Sequence, residues 1–251
     1  MQTDIADDWF VGFQTELKAR FWHAAAEPFA DAEAKAIAGL LDLPAGARLL
    51  DAPCGGGRIA VRLAERGLDV LGIDISEVEV LEARGVAAER GVGARFERGD
   101  IRALPERAFD AVVHWGNSFG YLPHDGTIEH LASMRRALRT GGRLVLESMT
   151  VAESLLPRFR SELEYRAGGV TMRARHRYDP RHSRLLGDFE FWDDEGEFER
   201  APVVHHVYSV GEVIRLLEAA GFGVHELLGD PVEGGPYVLG SPRLVVLASA
   251  P

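Results

Sequence analysis

Three acidic residues are the side chains of this sequence whose type and spacing could do chemistry together. Asp51 ends the apolar run Leu49-Leu50, Asp74 ends the run at 68–73, and Asp100 follows a short strand pattern at 94–97. If these runs are parallel strands of one open sheet, their carboxyl ends border the same crevice. Carboxylates in such a crevice attract positive charge and accept hydrogen bonds from hydroxyl groups. The spacing therefore predicts a single ligand site with several acidic contacts.

A glycine loop at 55–57 follows the first of these acids and lets a ligand approach the backbone closely. Gly55, Gly57 and Ala60 fit the dinucleotide fingerprint, and Asp74 lies at the distance of its ribose-binding acid. Asp51, however, would repel a pyrophosphate and suits a ligand that carries an ammonium and a sulfonium. The charge favours S-adenosylmethionine over a nicotinamide dinucleotide. A glycine turn that only packs a helix on the sheet is a third interpretation.

The stretch 51–57, Asp-Ala-Pro-Cys-Gly-Gly-Gly, resembles the first motif of the class I, Rossmann-like S-adenosylmethionine-dependent methyltransferases. That motif usually reads acid, x, Gly, x, Gly, x, Gly. Pro53 replaces the first glycine here, as in variants found among small-molecule methyltransferases. The run 117–121, Asn-Ser-Phe-Gly-Tyr, is also common in one small-molecule branch of the family.

The resemblance, together with the strand ends, predicts the site. We expect Asp74 to accept from both ribose hydroxyls; the family pattern implies that Asp100 accepts from the adenine amino group and that Ile75 and Ile101 lie against the ring. The residues expected to hold S-adenosylmethionine, released as S-adenosylhomocysteine, are Asp51, Pro53, Gly55, Gly57, Arg58, Asp74, Ile75, Asp100, Ile101, Trp115, Gly116 and Asn117. The residues expected to contact the acceptor are Trp22, Asn117, Ser118 and Tyr121.

Methyl transfer is an in-line displacement at the sulfonium carbon, so positioning the acceptor is the enzyme's main task. An amine acceptor need only lose a proton before attack, whereas a hydroxyl benefits from a general base. The candidate bases are His176, Tyr178, His205 and His206. Adjacent strand residues face opposite sides, so at most one of the last two histidines faces a pocket. A single cysteine, Cys54, predicts neither a disulfide nor a metal site.

Alternating strand and helix patterns must position these residues. They predict an α/β fold with a doubly wound, mostly parallel seven-stranded sheet and an antiparallel C-terminal strand. The predicted strands are 48–50, 68–73, 94–97, 109–114 and 143–147, followed by a hairpin of 222–228 and 243–248. Capping boxes open helices at Ser76/Glu79 and Ser209/Glu212, and Gly141-Gly142 is expected to end the helix that starts near residue 126.

Three units are expected: an N-terminal helical lid at 1–42, a methyltransferase core at 43–149 and 209–251, and an antiparallel β insertion at 150–208 that caps the substrate. The aromatic stripe of the first unit favours core packing, with a lid over the cofactor as the alternative, and Trp22 and His23 would test it. The insertion alternates with a period of two over 170–178, and 186–192 and 203–208 would pair with it. Its arginine face is expected to be solvated and paired with Asp188 and Glu190.

Composition limits the function classes. The 251 residues carry a net charge of −11, which opposes binding to nucleic acid, and no apolar run approaches membrane-spanning length. The acidic start lacks the pattern of a signal peptide, so we expect a cytoplasmic protein. We expect it to be a monomer or a homodimer. The predicted function is methyl transfer to an oxygen or nitrogen atom of a small molecule. The alternatives are a protein or peptide side chain as acceptor, an NAD-dependent oxidoreductase, and a non-catalytic cofactor sensor.

Overall fold

The computed structural model describes residues 5–106, 109–230 and 232–251, so the predicted lid residues 1–4 lie outside it. The helices are α1 (Glu16–Ala26), α2 (Ala30–Leu41), α3 (Arg58–Glu65), α4 (Glu77–Glu89), α5 (His124–Ala137), α6 (Ala152–Leu155) and α7 (Val210–Ala219). The strands are β1 (Arg48–Asp51), β2 (Asp69–Asp74), β3 (Arg95–Arg98), β4 (Phe109–His114), β5 (Leu138–Ser148), β6 (Glu162–Ala167), β7 (Val170–Asp179), β8 (Arg184–Asp193), β9 (Phe198–His206), β10 (Gly223–Leu228) and β11 (Leu244–Ser249).

Seven strands form one sheet in the order β10-β11-β5-β4-β1-β2-β3, and β11 runs antiparallel to both of its neighbours. The predicted doubly wound fold is confirmed. Strand β1 lies between β2 and β4, and Leu50 pairs with Leu71 of β2 and with Val112 of β4. The strand order therefore changes direction at β1. This switch point is where ligands bind in open α/β sheets.

Both faces of the sheet are buried, which explains why its strands read as continuous apolar runs. Leu50 and Val112 belong to a core cluster on one face, whereas Leu49 and Val113 belong to a cluster on the other. Helix α2 contributes to the second cluster through residues that include Ile37. Within the predicted lid, residues 30–41 therefore pack as part of the core.

A separate antiparallel sheet has the order β6-β7-β8-β9. The sequence predicted three of these strands and missed β6, an edge strand with mostly exposed side chains whose alternation is weak. Helix α1 packs its Leu17 and Phe21 on this sheet beside Phe191. Arg20 also pairs with Asp193 on β8 at 2.5 Å, so α1 and the sheet form one packed layer. In the predicted arginine face of β7, Arg175 pairs with Glu190 at 3.1 Å as expected, whereas Asp188 accepts from Arg200 of β9 instead.

Two local predictions were wrong. Helix α5 ends at Ala137, and Gly141-Gly142 lies inside β5, because the backbone of Ala250 pairs with both glycines and prolongs the sheet. Ser76 caps α4 by accepting from the Glu79 backbone N–H, but the Glu79 side chain does not complete the box. The second capping box, at Ser209, is confirmed.

Within the described ranges, no helix combines the length and the apolar character needed to cross a membrane.

Candidate active site

A cleft of about 260 Å³ opens at the carboxyl ends of β1, β2 and β4, and α1 covers it. It brings together most of the predicted site. The predicted residues that line it are Trp22, Asp51, Pro53, Gly55, Arg58, Asp74, Ile75, Asp100, Ile101, Trp115, Gly116, Ser118 and Tyr121. Phe10, Phe13 and Gln14 line it from the segment before α1.

Gly57 and Asn117 do not line the cleft, contrary to the prediction. Gly57 has φ +79°, and a Cβ there would lie 2.9 Å from the Cβ of Ala83, so this glycine lets α3 and α4 pack closely. The Asn117 side chain accepts from the backbone N–H of Met149 at 2.8 Å and is thereby held in the loop. Gly56, which the prediction passed over, lines the cleft instead of Gly57.

None of the four predicted bases lines the cleft. The Tyr178 hydroxyl lies 3.3 Å from that of Ser183 near the end of a hairpin. His176 packs against Phe189, with ring centroids 5.6 Å apart. The antiparallel sheet that carries these residues packs on α1, and α1 rather than the sheet faces the cleft. The expected substrate cap therefore supports the lining helix from behind.

The adjacent pair His205 and His206 belongs to the same sheet. His205 is buried behind Tyr121, with ring centroids 4.7 Å apart, and burial lowers its pKa to about 3. The backbone N–H of His206 donates to the carbonyl oxygen of Gly120, in the loop after β4, at 2.7 Å. Burial also lowers the pKa of His206. Neither ring is placed to take a proton from a molecule in the cleft.

Asp51 is the most perturbed acid of the site. Its side chain is 2% exposed, and among the described residues its Oδ2 has no hydrogen-bond partner. Burial raises its pKa to about 8; the charge of Arg58 opposes this shift and that of Asp74 adds to it. A buried carboxyl oxygen without a partner is uncommon in native proteins. Its position at the cleft fits a ligand that brings a cationic donor.

Asp74 joins the glycine loop to the second strand. Its Oδ2 accepts from the Gly55 N–H and its Oδ1 from the Ser76 N–H, both at 2.9 Å. Burial raises its pKa to about 6 in spite of these bonds. Each oxygen keeps a lone pair for a further donor, because a carboxylate can accept about four hydrogen bonds.

Asp100 lies at the edge of the cleft and begins a 3-10 turn at Ile101–Ala103. It accepts from the backbone N–H of Arg102 at 2.8 Å and from its guanidinium at 2.6 Å. The hydrogen bond from that guanidinium lowers the pKa of Asp100. This acid is therefore ionised at neutral pH and open to solvent on one side.

The pair His23 and Glu79 crosses the mouth of the cleft and was not predicted. The His23 Nε2 lies 2.7 Å from the Glu79 Oε2, which joins α1 to α4. Burial alone would lower the pKa of His23, but the hydrogen bond and charge of Glu79, with the charge of Glu82, raise it. A Cβ at Gly56 would lie 2.6 Å from the His23 Nε2, so a larger residue there would displace this ring. The sequence signal for Glu79 had been assigned to capping.

Two buried glutamates behind the cleft were also missed. Glu33 on α2 accepts from Arg58 at 2.5 Å, from Arg243 at 2.6 Å and from the Trp115 indole at 3.1 Å. Glu147 at the end of β5 accepts from the Gly116 and Asn117 N–H groups at 3.2 and 2.8 Å. They fix the side chains and the loop that form the floor of the cleft. Local sequence patterns could not show these contacts, because each joins elements far apart in the chain.

Residues 49–142 match the family model described as a methyltransferase domain. The chain therefore carries a methyltransferase domain. The match covers β1 through the start of β5, which carry the acids and the glycine loop. Together with the antiparallel β11, it favours a methyltransferase over the dinucleotide enzyme that the glycine spacing had left open.

Two curated proteins that are similar in sequence to this chain are named for different reactions. The 27-O-demethylrifamycin SV methyltransferase of Amycolatopsis mediterranei (strain S699) is 39% identical over 124 residues, which are 47% of this chain and 44% of that protein. The S-adenosyl-L-methionine-dependent Diels-Alderase iccD of Talaromyces variabilis is 31% identical over 192 residues, 69% of this chain and 64% of that one.

The fold of this methyltransferase is shared with the CcbJ methyltransferase from Streptomyces caelestis. The two structures superpose with a TM-score of 0.77 at 21% sequence identity, over 94% of this chain and 99% of the other. At that identity the likeness concerns the fold.

Proposed function

We propose that this methyltransferase transfers the methyl group of S-adenosylmethionine to an oxygen or nitrogen atom of a small molecule. The observation that carries the proposal is the covering of the cleft by α1 and the segment before it. Phe10, Phe13 and Trp22 line the same narrow space as the predicted cofactor residues. Such a covered aromatic pocket suits a small acceptor better than a folded protein surface.

The arrangement of acids supports the cofactor assignment. Asp51, with its unpaired buried oxygen, would receive the ammonium group of the methionine part. Asp74 would accept from the ribose hydroxyls, and Asp100 would accept from the adenine amino group between Ile75 and Ile101. The bound cofactor would supply an electrophilic methyl group.

This chain's own contribution to catalysis is placement and exclusion of water. The negative charges of the acidic side chains compensate the positive charge of the sulfonium before transfer. The aromatic residues exclude solvent from the acceptor. Holding the acceptor in line with the methyl group supplies several kcal/mol of the barrier, on the order of 7–11 kcal/mol in well-oriented systems. None of the four histidine and tyrosine candidates is required in this account.

The lid is assigned to residues 5–29, with 150–208 as the sheet that supports it. Lys18 and Thr15 both bond to Glu199 of β9, and Arg20 pairs with Asp193 of β8. The contact of this layer with α4 includes the pair of His23 with Glu79. This layer would therefore move as a unit if the cleft opens.

The names of the two relatives are consistent either with methyl transfer or with a different reaction that uses the same cofactor. The rifamycin enzyme is named for methylation of an oxygen on a small molecule. The Diels-Alderase is named as dependent on the same cofactor for a different reaction. An experiment on this protein must therefore measure transfer and cofactor binding separately.

The test uses methyl-labelled S-adenosylmethionine and a cell extract that is divided into small-molecule, protein and nucleic-acid fractions. We expect label in the small-molecule fraction, lost in Asp74→Ala and kept in the matched control Asp69→Ala, whose acid lies at the other end of β2 and is 43% exposed. Label in protein alone would select the protein-acceptor alternative. Binding of S-adenosylhomocysteine without any label would indicate a sensor or a non-transfer reaction.

A further inference from the structure

A pair of polar side chains, His114 and Ser118, lies at the carboxyl end of β4, and the site described above does not use His114. His114 is fully buried, and its Nδ1 lies 3.1 Å from the backbone oxygen of Ala52. Its Nε2 lies 3.2 Å from the Oγ of Ser118, which lines the cleft. A carbonyl oxygen can only accept a hydrogen bond, so the ring hydrogen is on Nδ1.

The Nε2 atom of His114 therefore carries no hydrogen. The ring is neutral because burial lowers its pKa to about 4. The other titratable ring against it is His130 on α5, with centroids 4.9 Å apart, and burial also keeps that ring neutral by lowering its pKa. Since a bare imidazole nitrogen accepts, the Ser118 hydroxyl must donate its one hydrogen to it.

We infer that Ser118 presents only lone pairs to the cleft and selects acceptors whose nucleophilic atom carries a hydrogen. This inference rests on the proposed function. A hydroxyl or an N–H group can donate its hydrogen to the Ser118 Oγ. This hydrogen bond orients the acceptor so that its nucleophilic lone pair points away from Ser118. An ether or a tertiary amine has no hydrogen to donate. His114 is the positioning residue that fixes the direction of the serine hydroxyl.

The same contact favours release of a methylated alcohol. Methylation replaces the single hydrogen of a hydroxyl by a methyl group, so the product can no longer donate to Ser118. The hydrogen bond that held the substrate is lost on formation of the product. For a hydroxyl acceptor, the pair thus discriminates substrate from product at the reacting atom.

The tautomer of His114 can be measured directly in the intact chain. Long-range ¹H–¹⁵N spectra of histidine-labelled protein distinguish the two neutral tautomers and the imidazolium. We expect the Nδ1–H form for His114, assigned by its loss in His114→Asn. An Nε2–H tautomer or an imidazolium at neutral pH would overturn the inference.

The effect on the acceptor is measured with labelled cofactor and serial dilutions of the small-molecule fraction. Ser118→Ala should raise the half-saturating amount of that fraction about tenfold, which matches the loss of one hydrogen bond. The dissociation constant of S-adenosylhomocysteine should change less than about twofold. Ser118→Thr keeps the hydroxyl and should recover most of the loss. A parallel loss of S-adenosylhomocysteine binding would place Ser118 on the cofactor and overturn the inference.

A double-mutant cycle separates positioning from general damage. In His114→Asn, the shorter side chain can place its amide nitrogen where Nδ1 was and donate to Ala52, but no atom takes the position of Nε2, so the Ser118 hydroxyl loses that acceptor. We expect this change to raise the half-saturating amount in the presence of Ser118 and to add nothing in Ser118→Ala. Equal effects in both backgrounds would show a merely structural role. Absence of label with the wild-type protein would refute the proposed function, whereas label with unchanged dilution curves in Ser118→Ala would refute this inference alone.

Discussion

Replacing Asp51 by asparagine should stabilise the free protein and weaken its hold on the cofactor. Burial raises the pKa of Asp51 from 3.8 to about 8. Because the folded-state pKa lies above that of the unfolded chain, the folded protein binds more protons between these values. The contribution of this group to stability is complete below about pH 4 and is lost as the pH rises to about 8.

The size of the effect follows from the distance between the ordinary pKa and the working pH. The difference between pH 7 and the ordinary pKa of 3.8 is about 3 units. At 1.36 kcal/mol per unit, keeping this carboxyl buried costs the folded state about 4 kcal/mol at pH 7. Asparagine removes this cost but buries an amide without a full set of partners, at about 1–3 kcal/mol. We therefore expect a net gain of about 2 kcal/mol, or about 4–8 °C in Tm for a chain of this size.

The assay is thermal unfolding of Asp51→Asn and wild type between about pH 4 and 8, with and without S-adenosylhomocysteine. The gain should vanish between about pH 4.5 and 6, where the cost of ionising the buried wild-type carboxyl falls to the amide's cost of about 1–3 kcal/mol, and it should become a loss near pH 4. Saturating ligand should stabilise the wild type by about 3 kcal/mol at a hundredfold excess over Kd and the variant by clearly less. Equal destabilisation of Asp51→Asn at both ends of the pH range would refute the reasoning, and exposed Asp69→Asn should change stability by less than about 0.5 kcal/mol.

Three further changes test individual contacts. Gly57→Ala should cost about 3 kcal/mol in denaturant unfolding, from the positive φ and the clash with Ala83; a loss under about 1 kcal/mol would contradict that packing. Glu79→Gln should lower the pKa of His23, read from its NMR titration, because the hydrogen bond and charge that raise it are weakened; an unchanged titration would mean that the pair does not form. Tyr178→Phe should leave methyl transfer within about twofold of wild type, and a large loss of transfer would mean that Tyr178 acts in the active site after all.

The strand ends of the cleft could be predicted from the sequence because their signals are local. A short strand pattern that ends in an acid, or is followed by one within three residues, indicates both the strand and the edge of the sheet at which the carboxylate lies. Asp51, Asp74 and Asp100 were placed correctly at the cleft on this basis. The antiparallel β11 was also predicted, because turn residues at 234–236 separate two strand-like runs and so indicate a hairpin.

The position of the insertion could not be predicted in the same way. Alternation identified β7, but it does not tell which layer the sheet packs against. The sheet packs on α1, and this tertiary choice puts His176 and His205 outside the cleft. The same reason explains the missed glutamates, since Glu33 and Glu147 act through partners that are distant in sequence. Glycine spacing likewise could not separate the packing role of Gly57 from close approach by a ligand.

A structure of the S-adenosylhomocysteine complex tests the central claim most directly. We expect the ligand ammonium within hydrogen-bond distance of the Asp51 Oδ2, the ribose hydroxyls on Asp74, and free space beside Ser118 for the acceptor. Adenosine in place of the amino acid part at Asp51, or a ligand bound outside the cleft covered by α1, would contradict the account.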